Sequence, residues 1–439
     1  MSDRPVFSPP AALLWIAERL ESTGCQAWAV GGAIRDAVLG LPRADWDLAT
    51  EARPEEVRQL FPRTVPLGME HGTVGVLGDD DAMYEVTTFR LDVETDGRHA
   101  VVEFATDIED DLARRDFTIN SIAWRPATGE LRDPYRGIED LRARVLRAVG
   151  EPAGRFAEDY LRVLRAFRFA GVYDLTIEGE TLSALRSAAA HLGRLSAERV
   201  REELLKVLAA DGPSRSLQMY AEYGALDEWY PEITPGAAEP GWQEALGAID
   251  TLPVHRRFLR VVRLFLGAGG DEEGPADRSD RVEALLRRLK FSNLEIRRGA
   301  HLALHYRPLV HPADGSASIR EWLHTVGAEH SRDLFRLHFA AARATGSVDN
   351  QRALAYTWRR VHEEIVEHAP VSVAQLAVDG TDLLAMGLPK GPLVGLMLDE
   401  LLAQVIESPE RNDRDVLLES VRELIELGGL DSLEGGIEE

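Results

Sequence analysis

The sequence predicts an α+β chain: a head that mixes short strands with helices, followed by an all-α remainder. Three observations carry this. Over the first 150 residues, short β-branched runs alternate with helical segments, whereas from Arg155 onward the apolar period becomes 3.6 and strand signals almost vanish. The length, 439 residues, exceeds one ordinary core and fits two to four domains. Apolar residues make up 45%, enough to bury a sizeable interior.

The elements follow in order. Residues 26–30 read as a short apolar strand ending in Gly31-Gly32, and residues 33–39 as a helix. Residues 45–50 read as a strand, and residues 54–61 as a helix with proline in its first turn. Residues 73–77 and 83–89 are β-branched strands in a mixed or antiparallel sheet. Helices are expected at 156–172, 181–190 and 197–210. The strongest break is the glycine-rich stretch 267–280, with further junctions near 150–154 and 370–371. The expected division is a head (1–150), a helical neck (151–219), a helical body (220–369) and a helical acidic tail (370–439).

Charge and cysteine usage narrow the class. The net charge is −24, but residues 366–439 hold 4 basic against 16 acidic groups, half of the excess. Residues 281–307 run the other way, with seven basic groups against Glu283 and Glu295. Cys25 is the one cysteine, so no internal disulfide is possible and a reducing compartment fits. Residues 1–10 have no apolar run, which excludes a signal peptide, and no stretch approaches the ~20 apolar residues of a membrane span. A cytoplasmic chain without a membrane or an obligate protein partner is expected.

Five motifs carry chemistry. The first is Gly31-Gly32-Ala33-Ile34-Arg35-Asp36, between a strand and a helix. Glycines let backbone approach an anion, helix-N-terminal amides favour phosphate, and Arg35 can add a forked contact. Taken alone, a plain strand-to-helix turn explains it as well. Dinucleotide-binding spacing of glycines is absent, which disfavours a nicotinamide oxidoreductase. The second is Asp45-Trp46-Asp47. Residues two apart on a strand share a face, so the two carboxylates would point together, with Trp46 and Leu48 packed behind. Like charges so close need a cation between them, and Mg²⁺ takes one or two carboxylates plus phosphate oxygens. Two solvated acids on a strand edge are the plainer alternative. The third is Glu85, a charge inside an apolar strand, either a third carboxylate or a surface position. Asp45, Asp47 and Glu85 together would suit phosphoryl transfer with two Mg²⁺ ions.

The fourth is Arg114-Arg115-Asp116-Phe117-Thr118-Ile119-Asn120, where arginines can meet phosphate while Asp116 and Asn120 meet ribose hydroxyls, or where Asp116 simply caps a helix. The fifth is Glu158-Asp159-Tyr160-Leu161-Arg162, continued by Arg165 and Arg168 in one drifting helical stripe. A salt-bridged solvent face would explain the stripe at a few tenths of a kcal/mol per pair. Asp159 and Arg162 also place an acceptor beside a donor. Cytosine and adenine each offer an amino donor beside a ring-nitrogen acceptor; guanine and uracil invert that pattern. One Asp–Arg pair could therefore take C and A and refuse G and U, because a mismatched base leaves buried polar groups unpaired.

With these motifs in this order, residues 25–215 resemble bacterial tRNA nucleotidyltransferases of the class II superfamily, the CCA-adding enzymes and their poly(A) polymerase relatives. Gly31-Gly32 with Arg35-Asp36, followed by Asp45-Trp46-Asp47, looks like the family's catalytic motif, and Arg115-Asp116-Phe117-Thr118 like its ribose-binding motif. Asp133-Pro134, Gly137 and Asp140-Leu141 look like the head–neck hinge. Glu158-Asp159 with Arg162 looks like the amino-acid template that selects CTP and ATP, and Glu198-Arg199-Val200 with Glu202-Glu203-Leu204 like the neck helix that steadies it. Weaker similarity continues at residues 289–293 and at Gly380, Asp382-Leu383, Gly387-Leu388-Pro389 and Gly391-Pro392.

The resemblance implies a nucleotidyltransferase head on a helical neck, body and tail. The implied activity is template-independent addition of CMP and AMP, from CTP and ATP, to the tRNA 3′ end. The implied nucleotide site is Gly31, Gly32, Arg35, Arg115, Asp116, Asn120, Asp159, Arg162, Arg165 and Arg168, and the body residues expected to grip tRNA are Arg287, Arg288, Lys290, Arg297 and Arg298. After Arg90 the chain reads Asp96-Gly97-Arg98-His99-Ala100, where the family's flexible loop often has Arg-Pro, so a partial enzyme adding only CC or only A is the nearest alternative. The basic stretch of bacterial poly(A) polymerases is not evident, which disfavours that activity, and the carboxylates argue against a non-catalytic RNA-binding relative.

Overall fold

The computed structural model describes residues 5–41, 46–69, 72–95, 100–233, 240–269, 273–311, 313–367 and 370–426. The chain divides into two compact units, Met1–Thr234 and Pro235–Glu439. The expected 219/220 boundary therefore falls inside the first unit. Tyr220 shows why: it is buried, with its ring 6.0 Å from that of Phe167.

The first unit opens with α1 (Ala11–Glu21), which buries Ala12, Leu13, Ile16, Ala17 and Leu20, one apolar stripe at helical spacing. Each fully buried Leu or Ile contributes about 1.5–3 kcal/mol. Then come β1 (Ala27–Val30), α2 (Gly32–Val38), β2 (Asp47–Thr50), α3 (Pro54–Leu60), β3 (Thr64–Gly68), β4 (Thr73–Leu77) and β5 (Met83–Thr88). They are followed by β6 (Arg90–Thr95), β7 (Ala100–Phe104), α4 (Ile108–Ala113), a 3-10 turn (Thr118–Asn120), β8 (Ala123–Arg125), β9 (Glu130–Arg132) and α5 (Gly137–Arg142). Seven strands form one sheet in the order β3-β4-β5-β2-β1-β8-β9. It is mixed, as expected: β2 runs parallel to β5, while β1–β2, β3–β4, β4–β5, β1–β8 and β8–β9 are antiparallel. The segment after Arg90 forms a separate antiparallel pair, β6 with β7. Residues Asp96 to His99, on which the comparison with the family's loop rested, lie outside the described residues.

Alternation gives the sheet two unlike faces. Tyr84, Val86 and Thr88 on β5 are buried, as are their neighbours Leu48 on β2 and Val74 and Val76 on β4. Met83 and Glu85, on the opposite face, are exposed.

The neck follows within the same unit: β10 (Val145–Leu146), α6 (Pro152–Glu158), α7 (Leu161–Val172), β11 (Thr176–Ile177), α8 (Gly179–Ala189), α9 (Ala197–Val207) and α10 (Ser214–Glu222). The single helix expected over 156–172 is broken at Asp159 and Tyr160. Asp159 is extended (φ −156°), and its Oδ1 accepts the Leu161 N–H at 3.0 Å. A short acidic side chain that bonds nearby backbone competes with the helix ladder, which accounts for the break.

The second unit is all α among the described residues. It contains α11 (Pro240–Thr251), α12 (Arg257–Leu266), α13 (Pro275–Arg288), α14 (Asn293–Leu304), α15 (Ser316–Val326), α16 (Ala328–Ala344), α17 (Val348–Val366), α18 (Gly380–Ala385), α19 (Pro392–Glu407) and α20 (Arg414–Glu426). The loop or linker expected at 267–280 falls inside this unit; residues 270–272 lie outside the described residues, and from Pro275, at the first helical position, the stretch is already α13. One apolar cluster lies around Ile319, Leu323, Phe335 and Val361, another around Leu383, Met397, Leu401 and Leu417. The buried Arg320 joins them: Nε donates to Ile406 O at 2.6 Å, Nη2 to Glu407 O at 3.0 Å and Nη1 to Glu364 at 3.0 Å. Orphan carbonyls at the end of α19 are thereby satisfied.

Candidate active site

The site lies where β1 runs into α2. Gly31 has φ +76°, in the left-handed region that favours glycine. A Cβ on it would stand 3.6 Å from Arg115 Nη1 and 3.7 Å from Asp47 Oδ2. The glycine turn, the β2 carboxylate and the arginine of the fourth motif thus meet at one point. Gly32 begins α2 beside its own Arg35. Asp47 heads β2, pairs with Val30, and has Trp46 and Leu48 buried on either side of it in sequence, as expected. Asp45 lies outside the described residues. Glu85 is exposed on β5; Ala49 pairs with Thr87 in the parallel register, so two residues earlier Asp47 and Glu85 occupy neighbouring positions on one face.

Arg35, expected to contact phosphate, is buried and bonded within the protein. Nε donates to Asp36 at 3.0 Å, Nη1 to Asn120 Oδ1 at 2.8 Å, and Nη2 to the Tyr173 hydroxyl. The chain continues: Asn120 Nδ2 donates to Asp116 Oδ1 at 2.9 Å, and Asp116 Oδ2 accepts from Arg165 Nε and Nη2 at 2.7 Å each. Four predicted nucleotide-site residues therefore form one hydrogen-bonded line, Arg35–Asn120–Asp116–Arg165, from α2 to α7. Burial alone would raise the Asp116 carboxyl, but the Arg165 guanidinium, the Asn120 amide and Arg162 pull it down to about 2, so it is ionised at neutral pH.

A second line runs beside it. Asp111, buried on α4, accepts Arg114 at 2.6 Å on Oδ1 and Arg115 at 3.0 Å on Oδ2. Arg115 Nη1 donates to Asn120 O at 3.1 Å. Arg162 Nη2 donates to Arg114 O at 3.0 Å, while its Nη1 meets Arg155 O at 2.8 Å and Glu158 at 2.5 Å. Arg165 and Arg168 sit 5.2 and 4.2 Å from the Phe169 ring centre, and Arg35 lies 5.2 Å from the same ring. Arg168 also bonds the buried Glu203 of α9. The arginine stripe therefore faces protein, not solvent.

The side chains of Asp159 and Arg162 do not bond each other in this structure; the two residues meet through backbone, where the Arg162 N–H donates to Asp159 O at 3.1 Å. Asp159 Oδ2 accepts Arg199 Nη2 of α9 at 2.7 Å. A carboxylate has about four lone-pair positions, so two acceptances leave room for an exocyclic amine. Three residues of these lines went unread in the sequence: Asp111, Phe169 and Tyr173. Asp111 carried a signal, since it precedes Arg114 and Arg115 by three and four residues. Tyr173 carried none, because its partner Arg35 is 138 positions away.

Asp133 caps the start of α5, accepting the Gly137 and Ile138 N–H groups at 2.6 and 3.0 Å, and Asp140 accepts the Thr118 hydroxyl at 2.7 Å. In the second unit Arg287, Lys290 and Arg297 are exposed and Arg288 is half-buried. Arg298 bonds Asp333, and Arg281 is held internally by Glu273 at 2.6 Å. No group of three His, Cys, Asp or Glu that could hold a metal occurs among the described residues, which omit Asp45. Among them, no helix is long and apolar enough to cross a membrane.

Comparison with known proteins bears directly on these features. The chain matches the Poly A polymerase head domain over residues 27–147 and the "Probable RNA and SrmB- binding site of polymerase A" over residues 174–236. A CCA-adding enzyme of Levilactobacillus brevis is 33% identical over 412 residues, 92% of this chain and 96% of the relative. The chain belongs to the family of CCA-adding enzymes. A second member, from Limosilactobacillus reuteri, is 32% identical over 96% of this chain and 98% of its own. The crystal structure of the Bacillus stearothermophilus CCA-adding enzyme in complex with CTP superposes with a TM-score of 0.76 at 30% identity, covering 96% of this chain and 100% of that one. The Thermotoga maritima CCA-adding enzyme complexed with tRNA shares the fold, with a TM-score of 0.58 at 20% identity over 94% of each chain. As a member of that family the chain is a nucleotidyltransferase, a class that generally uses divalent metal ions.

Proposed function

We propose that this chain adds CMP and AMP, from CTP and ATP, to the 3′ end of tRNA in the cytoplasm. The observation that carries the reading is the meeting of Asp47, Gly31 and Arg115 at one point, in a chain matched over nearly its whole length by CCA-adding enzymes. Asp45, Asp47 and Glu85 would hold two Mg²⁺ ions, and hard carboxylate oxygens suit that cation. Ions held there would supply stabilisation of an ionised primer hydroxyl and of the negative charge on the triphosphate.

The chain's own groups do the rest. The Gly31 turn lets the triphosphate approach backbone, and Arg115, aimed by Asp111, meets a phosphate oxygen. Asp116 and Asn120 accept from and donate to the ribose, held in place by Arg165 and Arg35. Asp159 accepts the exocyclic amine of cytosine or adenine, and Arg162 donates to the adjacent ring nitrogen. Guanine and uracil put a carbonyl against Asp159 and an N–H against Arg162, leaving buried polar groups unpaired. Exposed Arg287, Lys290 and Arg297, with Arg288 and Arg298, grip the tRNA backbone.

The test is incorporation of labelled CTP and ATP, with Mg²⁺, into tRNA ending at the discriminator base, read at single-nucleotide resolution. Stepwise growth to CCA is the expected result. Products that stop at CC, or grow only when CC is already present, would establish a partial enzyme instead.

A further inference from the structure

The register of the sheet places an apolar surface next to the carboxylates. Across β2, β5, β4 and β3, one row of positions reads Asp47, Glu85, Gly75, Val65: Gly75 pairs with both Glu85 and Val65, and the parallel register carries Glu85 to Asp47. Paired positions on neighbouring strands share a face. The row spans three strand spacings, about 14 Å. Beyond Glu85 it turns apolar. Val65 is 36% exposed, Leu67 41% and Met83 49%. Leu67 is the extra residue of the irregular step between Pro66 and Gly68, and Met83 precedes Glu85 by two on the same face. Both lean over Gly75, where a Cβ would stand 2.9 Å from Met83 Sδ and 3.1 Å from Leu67 Cδ1. The missing side chain lets the two close into a continuous shelf. Exposed large apolar groups gathered on one spot mark an interaction site.

We propose that Val65, Leu67 and Met83 form a shelf on which the 3′-terminal base of the RNA primer rests while its ribose hydroxyl lies at the carboxylates. This rests on the reading of Asp47 and Glu85 as the metal site. The side of the row selects the occupant. Gly31 and Arg115, proposed for the incoming nucleotide, stand on the β1 side of Asp47, and the shelf stands on the β5 side. Phosphoryl transfer is in line, with the attacking oxygen opposite the departing pyrophosphate. The nucleotide that carries the attacking hydroxyl therefore approaches from the β5 side. Its base, a few ångströms from that hydroxyl, reaches a surface that offers apolar contact and no hydrogen-bond code. Such a surface accepts any base, as a primer end that changes with each addition requires. A second copy of the chain is disfavoured by Pro66 on the outermost strand, which cannot donate to an added strand.

The test compares two tRNA primers that differ only in whether the 3′-terminal nucleotide carries its base, both keeping the 3′ hydroxyl, with labelled CTP and Mg²⁺. For the wild-type chain, removing the base should lower kcat/KM about tenfold, the scale of one lost base contact, with KM for CTP unchanged. In the double variant Leu67→Ser/Met83→Ser the intact primer should fall by a similar factor, and the two primers should become nearly equivalent. The single variant Met83→Ser, at an exposed position, should show part of the effect. If the double variant slows both primers equally and keeps the full difference between them, the shelf does not hold the base. A wild-type dimer that dissociates in the double variant, with the primer difference intact, would assign the patch to a second copy and overturn the proposal. If the wild type extends neither primer, the metal-site reading falls and the shelf falls with it; extension without a base effect removes the shelf alone.

Discussion

Arg199 Nη2 lies 2.7 Å from Asp159 Oδ2, so a residue of α9 holds the acceptor proposed to read the base. If Asp159 meets the exocyclic amine, Asp159→Ala should change nucleotide choice. Arg162 would remain as a lone donor that also suits the carbonyls of uracil and guanine. UTP and GTP incorporation should rise relative to CTP and ATP by the ~1–3 kcal/mol of a lost charged hydrogen bond. Arg199→Ala should give a weaker version of the same change, because the carboxylate survives but is no longer aimed. Relative incorporation of the four nucleotides at saturating tRNA measures both. Wild-type selectivity in Asp159→Ala would end the template assignment.

Arg165 of α7 donates from Nε and Nη2 to Asp116 Oδ2, at 2.7 Å each, just before the 3-10 turn. Asp116→Ala strands a largely buried guanidinium, and a loss of about 2–3 kcal/mol in unfolding free energy is expected, tempered by the part of Arg165 that reaches solvent. The Asp116→Ala/Arg165→Ala pair should lose less than the two single losses added. Since the folded carboxyl titrates near 2, below its ordinary 3.8, its contribution is present above pH 3.8 and disappears as pH falls toward 2. Urea unfolding of the three variants decides. Additive losses would mean that the pair does not act as a unit.

The exposed basic groups of α13 and α14 make a salt-dependent prediction. Arg287→Ala and Arg297→Ala should each lower the slope of log affinity for tRNA against log salt by about 0.7–0.9. Arg281 is the control within the same stretch. Its guanidinium is held by Glu273, so Arg281→Ala should destabilise the second unit and leave the slope alone. An unchanged slope in the Arg287→Ala/Arg297→Ala double variant would move the RNA surface elsewhere.

His338 gives the second unit a pH dependence. It is buried and stacked on Tyr306 at 4.4 Å, with Nε2 2.6 Å from Tyr306 O. Burial, reinforced by Arg307 and Arg263, pushes its pKa from 6.5 down to about 4. A depressed histidine favours the neutral ring, so its stabilisation is present above pH 6.5 and lost as pH falls through 4, up to about 3 kcal/mol. His338→Gln should flatten that decline between about pH 7 and about pH 4.5. An equal decline in the variant would assign the titration to another group.

Much of this architecture was legible in the sequence, for reasons tied to local chemistry. Residues 73–77 and 54–60 were readable because β-branched alternation and an N1 proline act within the segment itself. The Asp47 position was readable from strand alternation. What stayed hidden was set by contacts between distant segments. Arg35 reads as a phosphate ligand from its place after two glycines, yet its guanidinium bonds Asn120 and Tyr173, contacts that no spacing announces. The break in the helix at Asp159 escaped a periodicity argument because the apolar period on both sides is intact, and one side chain bonding Leu161 N–H decides it. The 3-10 turn at Thr118–Asn120 and the short strands β8 and β9 are too brief to show a period at all.

The central claim is that Asp47 stands at the reacting phosphate. Asp47→Ala should slow CMP transfer to tRNA by about 10²–10³, the loss expected when electrostatic stabilisation of this kind is removed. Its urea midpoint and tRNA affinity should match the wild type, because Asp47 heads its strand with only partial burial and the basic groups proposed to grip tRNA belong to α13 and α14 of the second unit. Transfer that persists above roughly a tenth of the wild-type rate would contradict the account.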